Sequence, residues 1–245
     1  MEMLKVNNLV KSFGGILATD KLTFKVEPGE LHALIGPNGA GKTTLIRQIT
    51  GEIKQDSGTI YFNDKEISAL PIHTRSALGL ARSFQITNIF KDMTTLENVT
   101  LAVQSRIGHS FYFWANAKKD PKLIEPATIF LKQVGLEDRA DIISGQLSHG
   151  EHRQLEIAMA LATEPKMLLL DEPMAGMGTE ESKLMVEIIQ KLKKKITILL
   201  VEHDMDVVFA LSDKITVLVY GKVIATGYPD IIRNIPEVQA AYLGE

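Results

Sequence analysis

The residues Gly36–Thr43, with the sequence GPNGAGKT, decide the fold of this chain. They match the pattern G-x-x-x-x-G-K-[ST], in which a glycine-rich loop turns its backbone N–H groups toward the phosphates of a nucleotide. In that pattern the lysine reaches the β- and γ-phosphates, and the threonine hydroxyl is a ligand of Mg²⁺. The predicted nucleotide-binding residues here are Asn38, Gly39, Ala40, Gly41, Lys42, Thr43 and Thr44, and Thr43 is also a predicted metal ligand.

The sequence on either side supports this interpretation, because the loop lies between a short apolar strand and a helix. The predicted strand is Leu31–Ile35, and the predicted helix, Thr43–Thr50, ends at Gly51. A helix that begins at the loop adds the positive end of its dipole to the phosphate site. On this evidence the chain is a P-loop nucleotide-binding protein, and kinase, GTPase and ATPase activities all remain open.

The composition excludes several classes of protein. Of the 245 residues, 45% are apolar and 23% are charged, as in ordinary globular proteins. No cysteine is present, so neither a disulfide framework nor a thiolate metal site is available. The net charge of −3 and the pI near 6.1 predict no nucleic-acid partner. We find neither a signal peptide nor an apolar run of the roughly 20 residues that a membrane-spanning helix needs, and we expect a cytoplasmic protein.

The order of strands and helices predicts an α/β fold with a parallel sheet. Two short apolar runs, Met167–Leu170 and Ile196–Val201, are typical of buried parallel strands. A helical region from about Asn88 to Ala162 separates them from the P-loop. Further predicted strands are Leu4–Val10, Leu22–Val26, Thr59–Phe62, Lys214–Tyr220 and Val223–Thr226, and further predicted helices are Thr179–Lys193, Asp204–Leu211 and Pro236–Leu243.

Polar residues follow both buried strands. Asp171 and Glu172 come directly after Met167–Leu170, where the carboxyl end of a parallel strand would face a nucleotide. In a P-loop protein Asp171 would hold Mg²⁺, and Glu172 would orient or deprotonate the attacking water. An acidic turn without a chemical role is the alternative, and the presence of the P-loop favours the functional interpretation. The second strand is followed by Glu202 and His203, and His203 is a candidate hydrogen-bond donor to the γ-phosphate.

A second candidate anion site lies at Leu147–Glu151, the segment LSHGE. Ser148 and Glu151 fit the S-x-x-E capping box that begins a helix. The start of a helix also attracts anions, because its first N–H groups have no partner within the helix. The segment is therefore predicted to cap a helix, and it is a candidate phosphate contact as well.

Taken in order, these motifs resemble those of the ATP-binding cassette (ABC) family, and the resemblance covers essentially the whole chain. It implies an ABC ATPase core with an N-terminal antiparallel β subdomain and an inserted α-helical subdomain, and it implies ATP and Mg²⁺ as cofactors. The matching features are the P-loop, Gln85 after a short strand, the LSHGE segment, the metal ligand Asp171, and the catalytic residues Glu172 and His203.

The resemblance also assigns roles to residues outside the P-loop. Gln85 is similar to the residue that contacts the nucleotide and the metal and joins them to the helical subdomain and a transport partner. Phe13 resembles the aromatic residue that stacks on adenine, and a core phenylalanine at a strand end is the alternative. The family forms head-to-tail dimers in which one subunit caps the γ-phosphate bound by the other. This implies nucleotide contacts for Ser148, His149 and Gly150.

Within the family, several segments resemble the ATPases of branched-chain (hydrophobic) amino acid importers. They are Phe13–Gly15, LSHGE, Ala175–Met177, Glu202–Asp206 and Ala241–Glu245. The resemblance implies a peripheral protein at the cytoplasmic face of the inner membrane, with membrane-spanning permease subunits and a second ABC ATPase subunit as partners. Urea importer ATPases and soluble ABC factors are the alternatives. We expect one ABC ATPase domain, residues 1–245, with a helical subdomain at approximately 88–162.

Three positions depart from the family pattern. His149 and Glu151 stand where Gly and Gln are common. A carboxylate about 4 Å from a phosphate would cost on the order of 4 kcal/mol at an effective dielectric near 20. We therefore predict that the Glu151 carboxylate turns back to cap its own helix. Gly178 stands where most members have Asp in a loop that crosses the dimer interface, and we expect a subunit that works best opposite a different ATPase.

The aromatic run Phe111–Trp114, within the predicted helical region, has two interpretations. It is either an exposed anchor for a short helix of a membrane partner or part of the packing within the helical subdomain. Substitution of its aromatic residues by alanine would separate the two, because only the first predicts weaker assembly with intact ATP binding.

Overall fold

The computed structural model describes residues 2–83, 89–107 and 120–243, with side chains as far as residue 241. Within these ranges strands and helices alternate along the chain. The strands are β1 (Leu4–Phe13), β2 (Ile16–Val26), β3 (Leu31–Ile35), β4 (Ser57–Phe62), β5 (Lys65–Glu66), β6 (Leu80–Arg82), β7 (Met167–Asp171), β8 (Thr197–Val201), β9 (Lys214–Val219) and β10 (Lys222–Gly227). The helices are α1 (Lys42–Thr50), α2 (Ile72–Ala77), α3 (Thr95–Ile107), α4 (Pro121–Gln133), α5 (His149–Ala162), α6 (Thr179–Lys193), α7 (Met205–Leu211), α8 (Pro229–Ile232) and α9 (Pro236–Leu243).

The central sheet has six strands in the order β10-β9-β3-β8-β7-β6. Every neighbouring pair is parallel except β9 and β10, which form an antiparallel hairpin. Leu34 of β3 pairs with Val201 of β8, and Val201 pairs with Asp171 of β7. The carboxyl ends of three strands therefore end at the same edge of the sheet, which is where ligands bind in folds of this class.

Both faces of the sheet are buried, which explains the continuous apolar runs in the sequence. Along β7, Leu168 and Leu170 pack into a core that includes residues of α3 to α6. Met167 and Leu169 face the opposite way, into a core built from α1 and the N-terminal strands. Burial of each such side chain stabilises the fold by about 1.5–3 kcal/mol.

A four-stranded antiparallel sheet, ordered β2-β1-β4-β5, covers α1. The predicted N-terminal β subdomain is confirmed, but two of its boundaries were wrong. Strand β1 continues to Phe13 rather than ending at Val10, and β2 begins at Ile16 rather than at Leu22. The added residues are exposed or half-buried at the end of a hairpin, except for Thr19, which is buried and polar. Their side chains therefore show no apolar alternation that the sequence could reveal.

Other boundaries differ from the predictions by one or two residues. Helix α1 begins at Lys42, so Lys42 itself belongs to the first turn, and β7 includes Asp171. The short elements α2, β5 and α8 were not predicted, because pieces of two to six residues carry too little periodicity.

Three helices, α3, α4 and α5, lie between β6 and β7 in the chain and pack around one apolar core. Val103, Leu123 and Leu155 are fully buried or nearly so at their contacts. The region expected to be helical contains these three helices, but residues 89–94 before α3 are not helical, and residues 134–148 between α4 and α5 form turns and two short 3-10 helices. No helix in the described ranges is long and apolar enough to cross a membrane.

A buried arginine holds the C-terminal end of α1. Arg75 of α2 is 3% exposed, and its guanidinium donates to the carbonyl oxygens of Gln48 and Ile49 at 2.7 Å each. The last carbonyls of a helix have no partner within it, and a cation is favoured at that end. Burial lowers the pKa of Arg75, although an arginine remains charged. Helix α1 is therefore anchored at the end opposite the P-loop.

Candidate functional site

The P-loop runs from the end of β3 to the first turn of α1 and packs against backbone from distant parts of the chain. The Gly221 N–H, in the turn between β9 and β10, donates to the Ala40 carbonyl at 2.9 Å. A Cβ atom at Gly41 would lie 2.3 Å from the Ala18 carbonyl oxygen, and Gly41 has a φ of +101°. Glycine satisfies both constraints, since it needs no room for a side chain and adopts positive φ freely. The loop is therefore held in shape by its own chain.

The first turn of α1 presents donors suited to an anion. Its N-cap is Gly41, which makes no side-chain cap, and the turn contains no acidic residue. The Lys42 ammonium donates to two carbonyl oxygens of the loop, those of Gly36 and the next residue, at 2.5 and 3.1 Å. Thr43 and Thr44 are partly buried in the same turn. Backbone N–H groups, an ammonium and two hydroxyls are what phosphate groups bind, so the residues present fit a nucleotide.

Phe13 lies at the tip of the hairpin between β1 and β2 and is 47% exposed, so it is not a core residue. The Lys11 ammonium lies 5.5 Å from the centre of its ring. Lys11 also donates to Asp56 at 2.7 Å, and this contact helps to lower the pKa of Asp56 to about 2. The exposed ring of Phe13 is available for stacking on a base.

Two predicted nucleotide contacts of the P-loop, Asn38 and Gly39, are exposed at the tip of the loop.

Asp171, the predicted metal ligand, is buried and paired. It is 3% exposed, and it accepts a hydrogen bond from Arg82 Nη2 of the neighbouring strand at 2.8 Å. Arg82 also pairs with Glu52. A buried carboxylate needs such a partner, because an isolated charge is costly away from water. In the described residues no group of three or more His, Asp and Glu could hold a metal ion.

Glu172, the predicted catalytic base, has a left-handed backbone with φ of 48°. Its N–H donates to the Val201 carbonyl of β8 at 2.9 Å. For a residue other than glycine this conformation costs about 1–3 kcal/mol, and it persists where the surrounding structure enforces it. Such strain concentrates at functional positions, which agrees with the role predicted for Glu172.

Glu202 and His203 extend from the end of β8. The Glu202 carboxylate is buried and accepts from the Met174 N–H at 3.2 Å and from the His203 N–H at 3.1 Å. Burial raises the pKa of Glu202, and the nearby Glu172 carboxylate acts in the same direction. The His203 side chain is 66% exposed beyond the strand. Glu202 thus ties the segment after Glu172 to the residue predicted to sense the γ-phosphate.

The LSHGE segment begins α5. The Ser148 hydroxyl accepts from the Glu151 N–H at 3.2 Å, and the Glu151 carboxylate accepts from the Ser148 N–H at 2.8 Å and from Arg139 Nε at 2.8 Å. Burial raises the pKa of Glu151, but these hydrogen bonds outweigh it and hold the pKa below its usual range. The prediction that Glu151 caps its own helix is confirmed. The His149 ring lies against the same chain, with Nε2 3.0 Å from the Ala175 carbonyl oxygen.

Two predictions concern residues outside the described ranges. Gln85, the expected nucleotide and metal contact, follows the end of β6, and the aromatic run Phe111–Trp114 follows α3. The role of Gln85 and both interpretations of the aromatic run therefore stay predictions.

Three residues at the site received no role from the sequence. Arg82 and Glu202 are described above, and Glu181 accepts from the Ser148 hydroxyl at 3.3 Å. Glu202 directly follows a buried strand in the sequence, but its burial against the Met174 and His203 N–H groups depends on the fold. Arg82 and Glu181 meet partners 89 and 33 residues away, and no local pattern signals such contacts.

Comparison with protein families defines the class of this protein. The family described as "ABC transporter" matches residues 19–175, which is more than half of the chain. The family described as "Branched-chain amino acid ATP-binding cassette transporter" matches residues 222–245. The chain therefore belongs to the ABC transporter family.

Curated relatives place it more narrowly. The high-affinity branched-chain amino acid transport ATP-binding protein LivG of Escherichia coli strain K12 is 38% identical over 252 residues, which cover 99% of this chain and 98% of the relative. The corresponding protein BraF of Pseudomonas aeruginosa is 38% identical over 250 residues, with the same coverage. A probable LivG protein of Archaeoglobus fulgidus is 38% identical over 249 residues, 100% of this chain and 96% of the relative. The resemblance to branched-chain amino acid importer ATPases is confirmed.

Solved structures confirm the predicted fold. A nucleotide-free ATP-binding cassette from an ABC transporter superposes with a TM-score of 0.87 and 33% identity over 100% of both chains. An ATP-binding cassette in its ADP conformation gives 0.87 and 34%, also over 100% of both chains. A dimeric cassette in a post-hydrolysis state, bound to ADP and phosphate, gives 0.78 and 25% over 93% of this chain and 99% of the other. Cassettes of this fold therefore bind nucleotide, and one of them is dimeric.

Proposed function

We propose that the chain is the ATP-binding and ATP-hydrolysing subunit of an ABC importer of branched-chain amino acids. The observation that carries the enzymatic part is the common row of Leu34, Val201 and Asp171, which sets the P-loop beside the two carboxylates. The transport part rests on full-length relatives whose names specify branched-chain amino acid transport.

In this proposal the first turn of α1 and the P-loop bind the triphosphate of ATP. Lys42 exchanges its loop carbonyls for phosphate oxygens, which are charged and therefore stronger acceptors. Thr43, Asp171 and Gln85 would hold Mg²⁺, which neutralises phosphate charge when it is bound. Phe13 offers its exposed ring to adenine.

Hydrolysis converts ATP and water to ADP and phosphate. Glu172 orients or deprotonates the attacking water, and His203 donates a hydrogen bond to the γ-phosphate. The buried Glu202 carboxylate holds His203 and the segment after Glu172, because it binds main-chain N–H groups of Met174 and His203.

A second ABC ATPase subunit completes the site. Ser148, His149 and Gly150 at the start of α5 would cap the γ-phosphate held by the P-loop of the other subunit. The dimeric state of a solved cassette supports this arrangement.

The permease subunits would bind at a cleft of about 340 Å³ between α2, β6, α3 and α5. Much of its wall is apolar, with contributions from Ile72, Leu80, Ala102 and Met159. Apolar clefts of this kind accept a short helix of a partner. Arg82, which donates to Asp171, also lines the cleft. A partner in the cleft would therefore contact the side chain that binds the predicted metal ligand. In this proposal the protein is peripheral at the cytoplasmic face of the inner membrane, and α3 to α5 form the helical subdomain, approximately residues 88–162 of a single domain 1–245.

The substitution Glu172→Gln tests the enzymatic part. We expect the variant to bind ATP within about twofold of wild type and to release phosphate at least about 100-fold more slowly, because an amide cannot take a proton from water. Titration calorimetry and a phosphate-release assay measure the two quantities. Glu180→Gln is the matched control, since that exposed carboxylate of α6 pairs with Lys183 and should leave the rate unchanged. Undiminished hydrolysis in the Glu172 variant would refute the assignment.

A pull-down from native membranes tests the transport part. Tagged Glu172→Gln protein with ATP and Mg²⁺ should recover two hydrophobic membrane subunits and a second ATPase. Vesicles reconstituted with the wild-type assembly should then accumulate leucine, and not urea, when ATP is supplied. Recovery of soluble or ribosomal proteins alone would contradict the importer function.

A further inference from the structure

Two hydrogen bonds join the start of α5 to the segment that follows Glu172 in the same chain. His149 Nε2 lies 3.0 Å from the Ala175 carbonyl oxygen and donates to it. The Ser148 hydroxyl donates to Glu181 Oε1 at 3.3 Å. The other oxygen of that carboxylate, Oε2, accepts from the Gly178 N–H at 3.2 Å.

The two segments are also in close packing contact. A Cβ atom at Gly150 would lie 2.7 Å from the carboxyl carbon of Glu181, and one at Gly176 would lie 3.2 Å from His149 Nε2. No larger residue fits at Gly150 without moving Glu181. The start of α5 and the start of α6 therefore meet with nothing between them.

The bonded segment reaches back to the predicted catalytic base. The Ala175 N–H donates to the Glu172 carbonyl at 3.1 Å, and the Met177 N–H donates to the Met174 carbonyl at 3.2 Å. Hydrogen bonds and the backbone between them thus link Glu172, the segment 174–178, Glu181 and Ser148. His149 and Gly178, two of the positions that depart from the family pattern, both take part in the contact between α5 and the segment 174–178.

The Ser148 hydroxyl has a single proton to donate. In this structure the hydroxyl donates to Glu181, while its oxygen accepts from the Glu151 N–H at 3.2 Å. A phosphate oxygen that accepts a hydrogen bond from Ser148 must therefore displace Glu181. When Glu181 loses that bond, its remaining contact is the Gly178 N–H, in the segment that follows Glu172.

We propose that Glu181 and His149 are positioning residues. They hold Ser148 against the segment 174–178 before nucleotide binds, and the exchange of Glu181 for a phosphate oxygen at Ser148 transmits occupancy of the partner's site to Glu172 of this subunit. The inference rests on the proposed function, because it needs a phosphate at Ser148 that a second subunit supplies. Neither residue is assigned a bond-making step.

The test compares Glu181→Ala, Glu181→Gln and Glu180→Ala in the full chain. Glu180 is a matched control, because it lies in the same turn of α6 but pairs with Lys183 rather than with Ser148. We expect kcat for ATP to fall about tenfold in Glu181→Ala, equivalent to about 1.4 kcal/mol in activation free energy. The KM should stay within about twofold, and Glu181→Gln should recover part of the rate, because its single amide oxygen can accept from either the Ser148 hydroxyl or the Gly178 N–H.

His149 provides an independent arm of the test. His149→Gln keeps a donor for the Ala175 carbonyl, whereas His149→Ala removes it. We expect only the alanine variant to lose rate, and we expect the double variant with Glu181→Ala to lose less than the product of the two single effects, since both act on one contact. The proposal would be overturned if the rate loss of the double variant equalled the product of the two single losses. It would also be overturned if His149→Gln lost as much rate as His149→Ala.

A hydrogen-exchange measurement with Ser148, His149 and Glu181 all unchanged covers the case in which an alanine variant fails to fold. The Gly178 amide should exchange slowly without nucleotide and faster with ATP in the Glu172→Gln background, because a Glu181 side chain no longer held by Ser148 leaves the Gly178 N–H more often. Unchanged exchange of that amide would overturn the proposal. If wild type shows no ATPase activity that Glu172→Gln abolishes, the proposed function itself fails; normal hydrolysis with a fully active Glu181→Ala variant overturns the inference alone.

Discussion

Two helix starts in this molecule are candidate phosphate sites, and they are built in opposite ways. Helix α1 begins at Gly41, with no side-chain cap and no acidic residue in its first turn. Helix α5 begins at Ser148, with a complete capping box from Glu151 and a further bond to Glu181. At α1 no side chain caps the backbone N–H donors, whereas at α5 the Ser148 hydroxyl already accepts from the Glu151 N–H and donates to Glu181.

The difference teaches that the two helix starts of the same chain would bind phosphate under different conditions. The start of α1 is held in shape by packing of the P-loop against Ala18 and Gly221, so it can bind phosphate without rearrangement. At the start of α5 the Ser148 hydroxyl must exchange its bond to Glu181 before it donates to a phosphate. Binding at α1 should therefore occur in a single chain, and binding at α5 should follow the approach of a second chain that brings its own nucleotide.

The largest expected effect comes from a substitution at the start of α1. Gly41→Ala places a methyl group 2.3 Å from the Ala18 carbonyl oxygen at a φ of +101°. We expect a loss of about 3 kcal/mol in unfolding free energy, a fall of about 6–12 °C in Tm, and weaker ATP binding. Gly39→Ala is the control, because its φ is +78° but no atom lies within 4 Å of the added carbon. That variant should lose only about 1 kcal/mol, and equal losses in calorimetry would show that steric contact with Ala18 is unimportant.

A smaller effect is expected on the α5 side. Ser148→Ala removes the N-cap of α5 and should lower the unfolding free energy by about 1 kcal/mol, which is about 2–4 °C in Tm. Binding of ATP to the P-loop of the isolated variant should match wild type, because the two helix starts are independent in one chain. Ser148→Thr, which keeps a hydroxyl, should retain most of the stability. A loss of nucleotide affinity in the isolated alanine variant would contradict this independence.

The smallest effect is a pH dependence confined to α5. The pKa of Glu151 in the folded chain lies below its usual value of 4.5. Ionised Glu151 therefore stabilises the fold above about pH 4.5, and this contribution is lost as the pH falls through the lower folded-state value. The contribution is a few tenths of a kcal/mol, since Glu151 is largely screened by solvent.

Glu151→Gln measures that contribution directly. Unfolding curves recorded between about pH 3 and pH 7 should show wild type slightly more stable at neutral pH, with the gap closing in acid. Hydrogen exchange should speed up in the first turn of α5 as the pH falls, after correction for intrinsic rates, and not in the first turn of α1. A gap that widens in acid would reverse the sign of the argument.

Local features of the fold could be predicted from the sequence. The P-loop motif and the apolar runs of β7 and β8 act within a few residues, and the S-x-x-E pattern identified the Glu151 cap correctly. The strands β1 and β2 were underestimated, because their exposed ends pair through backbone groups whatever the side chains are.

Contacts between distant segments were beyond sequence reasoning. Arg82 meets Asp171 because β6 and β7 are neighbours, and Glu181 meets Ser148 because α5 and α6 begin side by side. Each pairing depends on how separate elements pack, and a single sequence carries no periodic signal of it. The same limit applies to the Gly221 contact with the P-loop, which depends on the position of the hairpin between β9 and β10.

The row formed by Leu34, Val201 and Asp171 has a consequence for divergence within the family. The spacing between the phosphate loop and the carboxylates is set by main-chain hydrogen bonds, which every amino acid except proline can make in full. Mutations can accordingly replace most apolar side chains of the sheet, one compensated change after another, without altering that spacing. This explains how a cassette with 33% identity to this chain can still superpose with a TM-score of 0.87.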